Sequence, residues 1–404
     1  MKILTKMSMV SALALAGAGS NVSASVESTL DDAFAPLKEV PGKFSINTRL
    51  RYEIFDLDNG NPALDRDGTS LRVRYGYTTP DFEGFTAMIE GETLTRVGGD
   101  AADIHPLDDA GDGTDLNQAF IAYKNADYGS AKVGRQIYAL DDQRFIGHVG
   151  WRQNIQTFDA ATAAFTGVEN LTFNAFYFNA VERVNLDSNP LDTFGVNATY
   201  KIAPEAVVTV FYYDIENDDL VGFDSETLGI RVAGTVKVED LAFKYFLSYA
   251  TQDGVETGEE GDYLAGDISG SFAGFTLGAG FEILEAGFRT PLATVHKFNG
   301  FADALLPVTG FTNGLEDIYV YAGYKIPVGE KKFIPVKVIY HWFDSEESVA
   351  GQDGGSELDF VASYNINKYL SLVAKYGDYS EDGGVGNAGA FDKTMFTFEI
   401  NFKY

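Results

Sequence analysis

Residues 395–404 read MFTFEINFKY: Phe396, Phe398, Ile400, Phe402 and Tyr404 fall on every second position, with Thr397, Glu399, Asn401 and Lys403 between them. Successive side chains of a strand point to opposite faces, so this segment has one apolar row and one polar row. Such a row, ending in an aromatic residue, suits a strand whose apolar face meets lipid and whose last ring lies at the membrane interface. A strand edge left open in lipid would strand its backbone N–H and C=O groups. The last strand must therefore close against the first, near Phe44 to Ile54.

The same alternation runs back through the chain. Phe44, Ile46, Thr48, Leu50, Tyr52 and Ile54 alternate with Ser45, Asn47, Arg49, Arg51 and Glu53. Leu71, Val73, Tyr75 and Tyr77 alternate with Arg72, Arg74 and Gly76. Comparable runs begin near Phe85, Leu116, Ser130, Gln156, Leu171, Leu191, Ala206, Ser225 and Glu239, and again near Asp262, Phe275, Glu316, Phe333, Ser356, Lys368 and Asp392. The reading is all-β: an antiparallel up-and-down transmembrane barrel of about 18 strands. About 16 would also fit, because the runs near Gln156 and Phe275 are less regular.

The connections alternate in length. Pro80–Gly84, Asn125–Gly129, Ala203–Pro204, Ala273–Gly274 and Ile366–Asn367 are tight. Between them lie the long loops Leu57–Gly68, Val97–Thr114, Leu140–Asn154, Asp253–Gly261, Ala286–Leu315, Ser345–Gly355 and Ser380–Phe391. Barrels of the bacterial outer membrane have short periplasmic turns and long extracellular loops, which places both chain ends in the periplasm.

Lys2 and Lys6 precede a short apolar run, Met7 to Ala18, and Val22-Ser23-Ala24 offers the small residues of a signal-cleavage site, with cleavage expected after Ala24. The run is too short for a membrane helix, which takes roughly 20 residues. Nothing amphipathic is read after it. The expected organisation is a signal peptide at 1–24, a periplasmic segment at 25–43 and the barrel at 44–404. The chain has no cysteine, so an exported protein of this size needs another source of stability, and a closed hydrogen-bonded barrel supplies it. Its 59 acidic and 30 basic residues give a net charge of -29, which argues against a nucleic-acid surface.

Much of the acid sits in the long loops, with Asp100, Asp103, Asp108, Asp109 and Asp112 in one of them. Oxygen-rich loops are either candidate surface Ca2+ sites beside lipopolysaccharide phosphates or simply solvated, and none has the EF-hand spacing. No other cofactor is expected. In the strands, a cost of about 2–4 kcal/mol for a cation on the lipid face sends Arg49, Arg51, Glu53, Arg72 and Arg74 into the lumen. There the arginines either pair with acids such as Glu53, Glu90 and Glu92 and brace the wall, or form a positive ladder that attracts anions. The sequence leaves both open.

Leu140–Asn154 (LDDQRFIGHVGWRQN) mixes Phe145, Ile146, Val149 and Trp151 with Asp141, Asp142, Arg144, His148 and Arg152. Folding inward would bury the first group and turn the second toward a solute. Ala286–Leu315 is a second candidate plug. His105, His148, His296 and His341 are scattered, no Gly-x-Ser-x-Gly elbow occurs, and no thiol is available, so no enzyme is expected.

TRLRYE (48–53), LRVRYGY (71–77), LNQAFIAYK (116–124), VGRQ (133–136) and above all DDQRFIGHVGWRQNIQTFDA (141–160) resemble the alginate export family of outer-membrane barrels, as do HKFNGFAD (296–303) and GLEDIYVYAGYK (314–325). The resemblance implies a monomer in the outer membrane of a Gram-negative bacterium, with an arginine-lined constriction that passes an anionic polysaccharide. It carries the pore role onto Arg49, Arg72, Arg74, Arg135, Arg144 and Arg152. Arg135 shares parity with Val133 and Ile137, so it needs either a bulge or a place at the rim. A net charge of -29 opposes an anionic polymer unless the acids stay outside. The expectation is therefore a porin giving passive passage to small hydrophilic anionic solutes. Dedicated polysaccharide export and a plugged, surface-binding barrel are the alternatives. Expected partners are outer-membrane lipid and lipopolysaccharide, the solute, and the barrel assembly machinery, whose client signal the terminal strand resembles.

Overall fold

The computed structural model describes residues 20–58, 65–98, 112–217, 223–254, 260–308, 310–347, 353–382 and 391–404. The charged start and apolar run of the expected signal, and Asp100, Asp103, Asp108 and Asp109, lie outside the described residues.

A helix, α1 (Ser20–Lys38), precedes eighteen strands. The first nine are β1 (Lys43–Leu57), β2 (Arg66–Thr78), β3 (Phe85–Gly98), β4 (Gly113–Asn125), β5 (Gly129–Gln136), β6 (Thr157–Val168), β7 (Leu171–Glu182), β8 (Ser188–Ala203) and β9 (Ala206–Ile215). The second nine are β10 (Ser225–Val238), β11 (Leu241–Asp253), β12 (Glu260–Phe272), β13 (Phe275–Leu284), β14 (Leu315–Val328), β15 (Lys332–Asp344), β16 (Asp353–Asn365), β17 (Leu370–Asp382) and β18 (Lys393–Lys403). Each strand pairs with the next, and β18 closes antiparallel on β1 with Leu50 opposite Ile400 and Arg51 opposite Glu399. The count of 18 and the closing pair both match the sequence reading.

Alternation assigns the faces. Leu228 and Ile230 on β10, Leu247 and Tyr249 on β11, and Ile318 and Val320 on β14 stand exposed, whereas Thr227, Ser248 and Asp317 between or beside them are buried. The exposed row is the lipid face and the buried polar row points inward. Short turns such as 169–170, 204–205, 239–240 and 273–274 mark one end, while the connections 137–156 and 285–314 leave the other end and fold into the barrel. Their Ile146, Leu292 and Leu305 are fully buried and join Phe211, Tyr213, Tyr263 and Phe288 in one apolar core. Phe145 seats its ring 4.9 Å from Phe211 and 5.4 Å from Tyr263. A lumen that would otherwise hold water thus contains a packed hydrophobic interior, driven by removal of these side chains from water.

The helix corrects the reading that nothing amphipathic follows the signal. Val26, Glu27, Leu30, Asp31, Phe34 and Leu37 are half-buried at helical spacing. Phe34 stacks on Tyr404 at 4.1 Å, and Lys368 and Tyr369 donate to Asp31 at 2.7 Å and 2.6 Å. The helix therefore straps the β1–β18 seam at its periplasmic end. The expected cut after Ala24 would fall within it and leave those contacts intact.

Candidate functional site

A buried guanidinium must find acceptors for its five N–H groups, and an extended loop offers a row of carbonyls. The two meet inside this barrel. Arg49 donates to the carbonyls of Gly150, Trp151 and Arg152 at 3.2, 3.2 and 3.0 Å. Arg51 donates to the Trp151 carbonyl and, across the seam, to Glu399 Oε1 at 2.7 Å. Arg72 and Arg74 reach the Gln153 carbonyl at 3.4 and 3.5 Å, and Arg74 also pairs with Glu92. Gln153 donates to Ser70 Oγ at 2.7 Å in return. The four arginines face the interior, as parity required. Yet Arg51 and Arg72 are 0% and 2% exposed, sandwiched between wall and loop instead of bordering open water. Of the two roles the sequence left open, their contacts are those of a brace.

The opposite wall works with reversed polarity. Main-chain N–H groups of Phe301 and Ala302 donate to Asp359 Oδ1 at 3.2 Å and Glu357 Oε1 at 2.6 Å. Asn299 donates to Glu282 and Asp317 at 2.8 and 3.3 Å. The two loops are tied to each other as well. Gly147 N donates to Leu292 O at 2.9 Å, Thr294 N to Gln143 O at 3.0 Å, and Val149 N to Thr294 Oγ1 at 2.9 Å. Arginines thus hold the carbonyl side of one loop and carboxylates hold the amide side of the other.

The remaining charges of 140–154 are placed one by one. Arg144 is buried against Glu282 at 2.8 Å with the Phe298 ring 4.7 Å away. Arg152 pairs with Asp303 at 3.4 Å, and Asn197 donates to Asp141 at 2.7 Å. His148 is half-buried with its Nδ1 unpartnered. Asp142 pairs with Arg231 at 2.7 Å and borders a cavity, the one charge of this loop that does so. The transfer of the pore role to Arg135 is not supported. It keeps the parity of Val133, which is 63% exposed, and bonds to Asp159 and Glu182 at 2.8 and 2.6 Å, away from the other arginines. Asp112 accepts from Arg96 N at 2.6 Å, and among the described residues no His, Asp and Glu group is arranged to hold a metal.

The cavity, about 320 Å³, lies between the loop pair and the wall of β10 to β16. Its charged lining includes Arg231, Lys297 and Lys337 together with Asp142 and Asp267. Sequence reasoning missed all of these except Asp142. The parity argument applied to β1 and β2 would have found Arg231, Asp267 and Lys337, since each alternates with outward apolar residues such as Ile230, Ile268 and Val338.

A closed barrel of this strand number, filled by two inward loops around a small charged chamber, is the architecture of outer-membrane porins. Three solved structures share the barrel fold. Acinetobacter baumannii OccAB4 has a TM-score of 0.71 and 15% identity over 91% of this chain and 99% of its own. Pseudomonas aeruginosa OccK5 gives 0.68 and 14% over 90% and 98%. Pseudomonas aeruginosa OpdK, crystallised with vanillate, gives 0.69 and 13% over 90% and 98%. The family model for alginate export matches residues 40–286, and the chain belongs to that family. No curated protein matches it. Fold and family place it in the outer membrane of a Gram-negative bacterium, with lipid against its outer wall.

Proposed function

We propose that the protein is a passive pore for small hydrophilic solutes that carry an anionic group, acting as a monomer without catalysis. The observation that supports this best is the size and lining of the chamber. A cavity of about 320 Å³ suits one small molecule; Arg231, Lys297 and Lys337 border it, and of the acids beside them all but Asp267 are held by Arg231, Arg144, His341 or a loop N–H. Vanillate, present in the OpdK crystal, is a carboxylate of that scale. A polysaccharide would have to thread past loops held to both walls and to each other, so export is the weaker reading. The cations that meet the solute are those of the chamber, because the ladder on β1 and β2 already binds loop carbonyls. An exported precursor cut after Ala24 and inserted by the barrel assembly machinery fits the terminal strand.

Planar-bilayer recording tests this. Unitary steps in KCl and a reversal potential favouring anions are expected, and Lys337→Ala should reduce that preference. Absence of conductance, even with 140–154 and 286–315 deleted, would overturn the pore. Cation preference in the unmodified protein would overturn the anionic part.

A further inference from the structure

Two charged groups in the chamber stand apart from the rest. Most of its ionic lining is already spent: Arg231 on Asp142, Lys297 on the Asp142 carbonyl, Glu282 on Arg144 and Asn299, Asp317 on His341, and Asp359 on His341 and the Phe301 N–H. Asp267 and Lys337 have no ion-pair partner among the described residues. Asp267 instead accepts the hydroxyls of Tyr319 and Tyr321 at 3.3 and 3.0 Å, and the Lys337 ammonium rests 3.9 Å from the Tyr321 ring centroid. One tyrosine thus separates an unpaired carboxylate from an unpaired ammonium.

This arrangement is built, and two glycines show how. Asp267 is on β12, the tyrosines are on β14, and β13 lies between. Tyr319 and Tyr321 can cross β13 because Gly280 and Gly278 stand opposite them, and a Cβ at either glycine would collide with the phenol above it. Without those glycines the hydroxyls could not reach Asp267. A carboxylate held by two hydroxyls in a part-buried chamber keeps lone pairs for a further donor, and the natural complement is an ammonium group. Lys337, with Arg231 and Lys297 near it, is the complement of a carboxylate.

We propose that this chamber is a recognition site for a small zwitterion, a solute of amino-acid type whose ammonium binds Asp267 and whose carboxylate binds Lys337. The inference rests on the pore reading for its purpose but adds a second pole, since an anion alone leaves Asp267 unanswered and repelling. Both charges of the solute are desolvated on entry, and each finds an opposite charge already in position.

Three probes of matched size separate the terms: L-alanine, propionate and n-propylammonium, titrated calorimetrically into the detergent-solubilised full chain. Alanine should bind more tightly than either singly charged probe. Asp267→Asn should weaken alanine about 10-fold, since a hydrogen bond to a charged group is lost, while propionate, freed of a like charge, binds no more weakly than before. Lys337→Met should weaken alanine and propionate but not propylammonium. Tyr319→Phe combined with Tyr321→Phe, which keeps both rings, should weaken alanine and serves if Asp267→Asn does not fold. Alanine binding no better than propionate, or alanine binding unaffected by both the Asp267 and the double-tyrosine variants, would overturn the site. Bilayer conductance reads the pore separately: binding without conductance removes the pore and leaves the site, and conductance without alanine preference does the reverse.

Discussion

Arg51 is where the brace can be tested most directly. Its side chain is wholly buried, with Glu399 at 2.7 Å, Glu53 at 3.3 Å and the Trp151 carbonyl also bound. Removing the guanidinium alone would leave Glu399 buried without this partner, an effect of about 3–5 kcal/mol that acts on the seam as much as on the loop. Combining Arg51→Met with Glu53→Gln and Glu399→Gln keeps the bulk and removes all three charges, so the remaining effect falls mainly on the loop. The lost hydrogen bond to Trp151 is worth about 1.5–3 kcal/mol, because its donor is charged. That makes excursions of 137–156 from the wall roughly 10- to 150-fold more frequent. The three carbonyl bonds from Arg49 still hold the docked state as the resting one. Single-channel recording should therefore show brief high-conductance openings on an unchanged main level, with little change in reversal potential. Unchanged gating together with a marked loss of anion preference would refute the brace and return Arg51 to the ion path.

Other perturbations have equally definite outcomes. Phe398→Asp or Phe402→Asp puts a charge on the outward row of β18, and should abolish the heat-modifiable folded band; normal insertion would mean the faces are reversed. Gly280→Ala places a methyl group against Tyr319, an overpacking cost of about 1–3 kcal/mol, and should weaken alanine binding as the Asp267 variant does. Lys368 and Tyr369 hold the Asp31 carboxyl down to about 2 from an ordinary 3.8. A depressed carboxylate stabilises above its unfolded value, and that contribution is lost as pH falls through the folded one. Docking of α1 should therefore be constant from neutral pH to about 4 and weaken toward 2. A fluorophore on Asp32→Cys, unique in a chain without cysteine, would follow it; no change across that range would show that Asp31 does not secure the helix.

The barrel was legible because lipid imposes a strict period of two. Phe396 to Tyr404, and Phe44 to Ile54, could be read as lipid-facing rows with no knowledge of what lay inside. The mixed character of Phe145, Trp151, Arg144 and Arg152 likewise marked a loop that turns inward. What these residues touch was not legible. Arg49 could be placed in the lumen, but three of its acceptors are main-chain carbonyls a hundred residues away, and a carbonyl has no signature in sequence. The chamber was hidden for a related reason. Asp267, Gly280 and Tyr319 lie on three different strands and meet only through the register of β12, β13 and β14. Helix α1 was missed because its half-buried face mixes Leu30 and Phe34 with Glu27 and Asp31, whose partners Lys368 and Tyr369 belong to a distant turn.

The pairing of Arg51 with both Glu399 and the Trp151 carbonyl has a bearing on biogenesis. Glu399 arrives only when the last strand meets the first, and Trp151 arrives only when the loop is stowed. A half-made barrel, with its seam unzipped, therefore offers the loop an arginine that has Glu53 beside it but still lacks Glu399. Zipping the wall and stowing the loop are coupled through one guanidinium, so the lumen is filled in the same step that closes the cylinder.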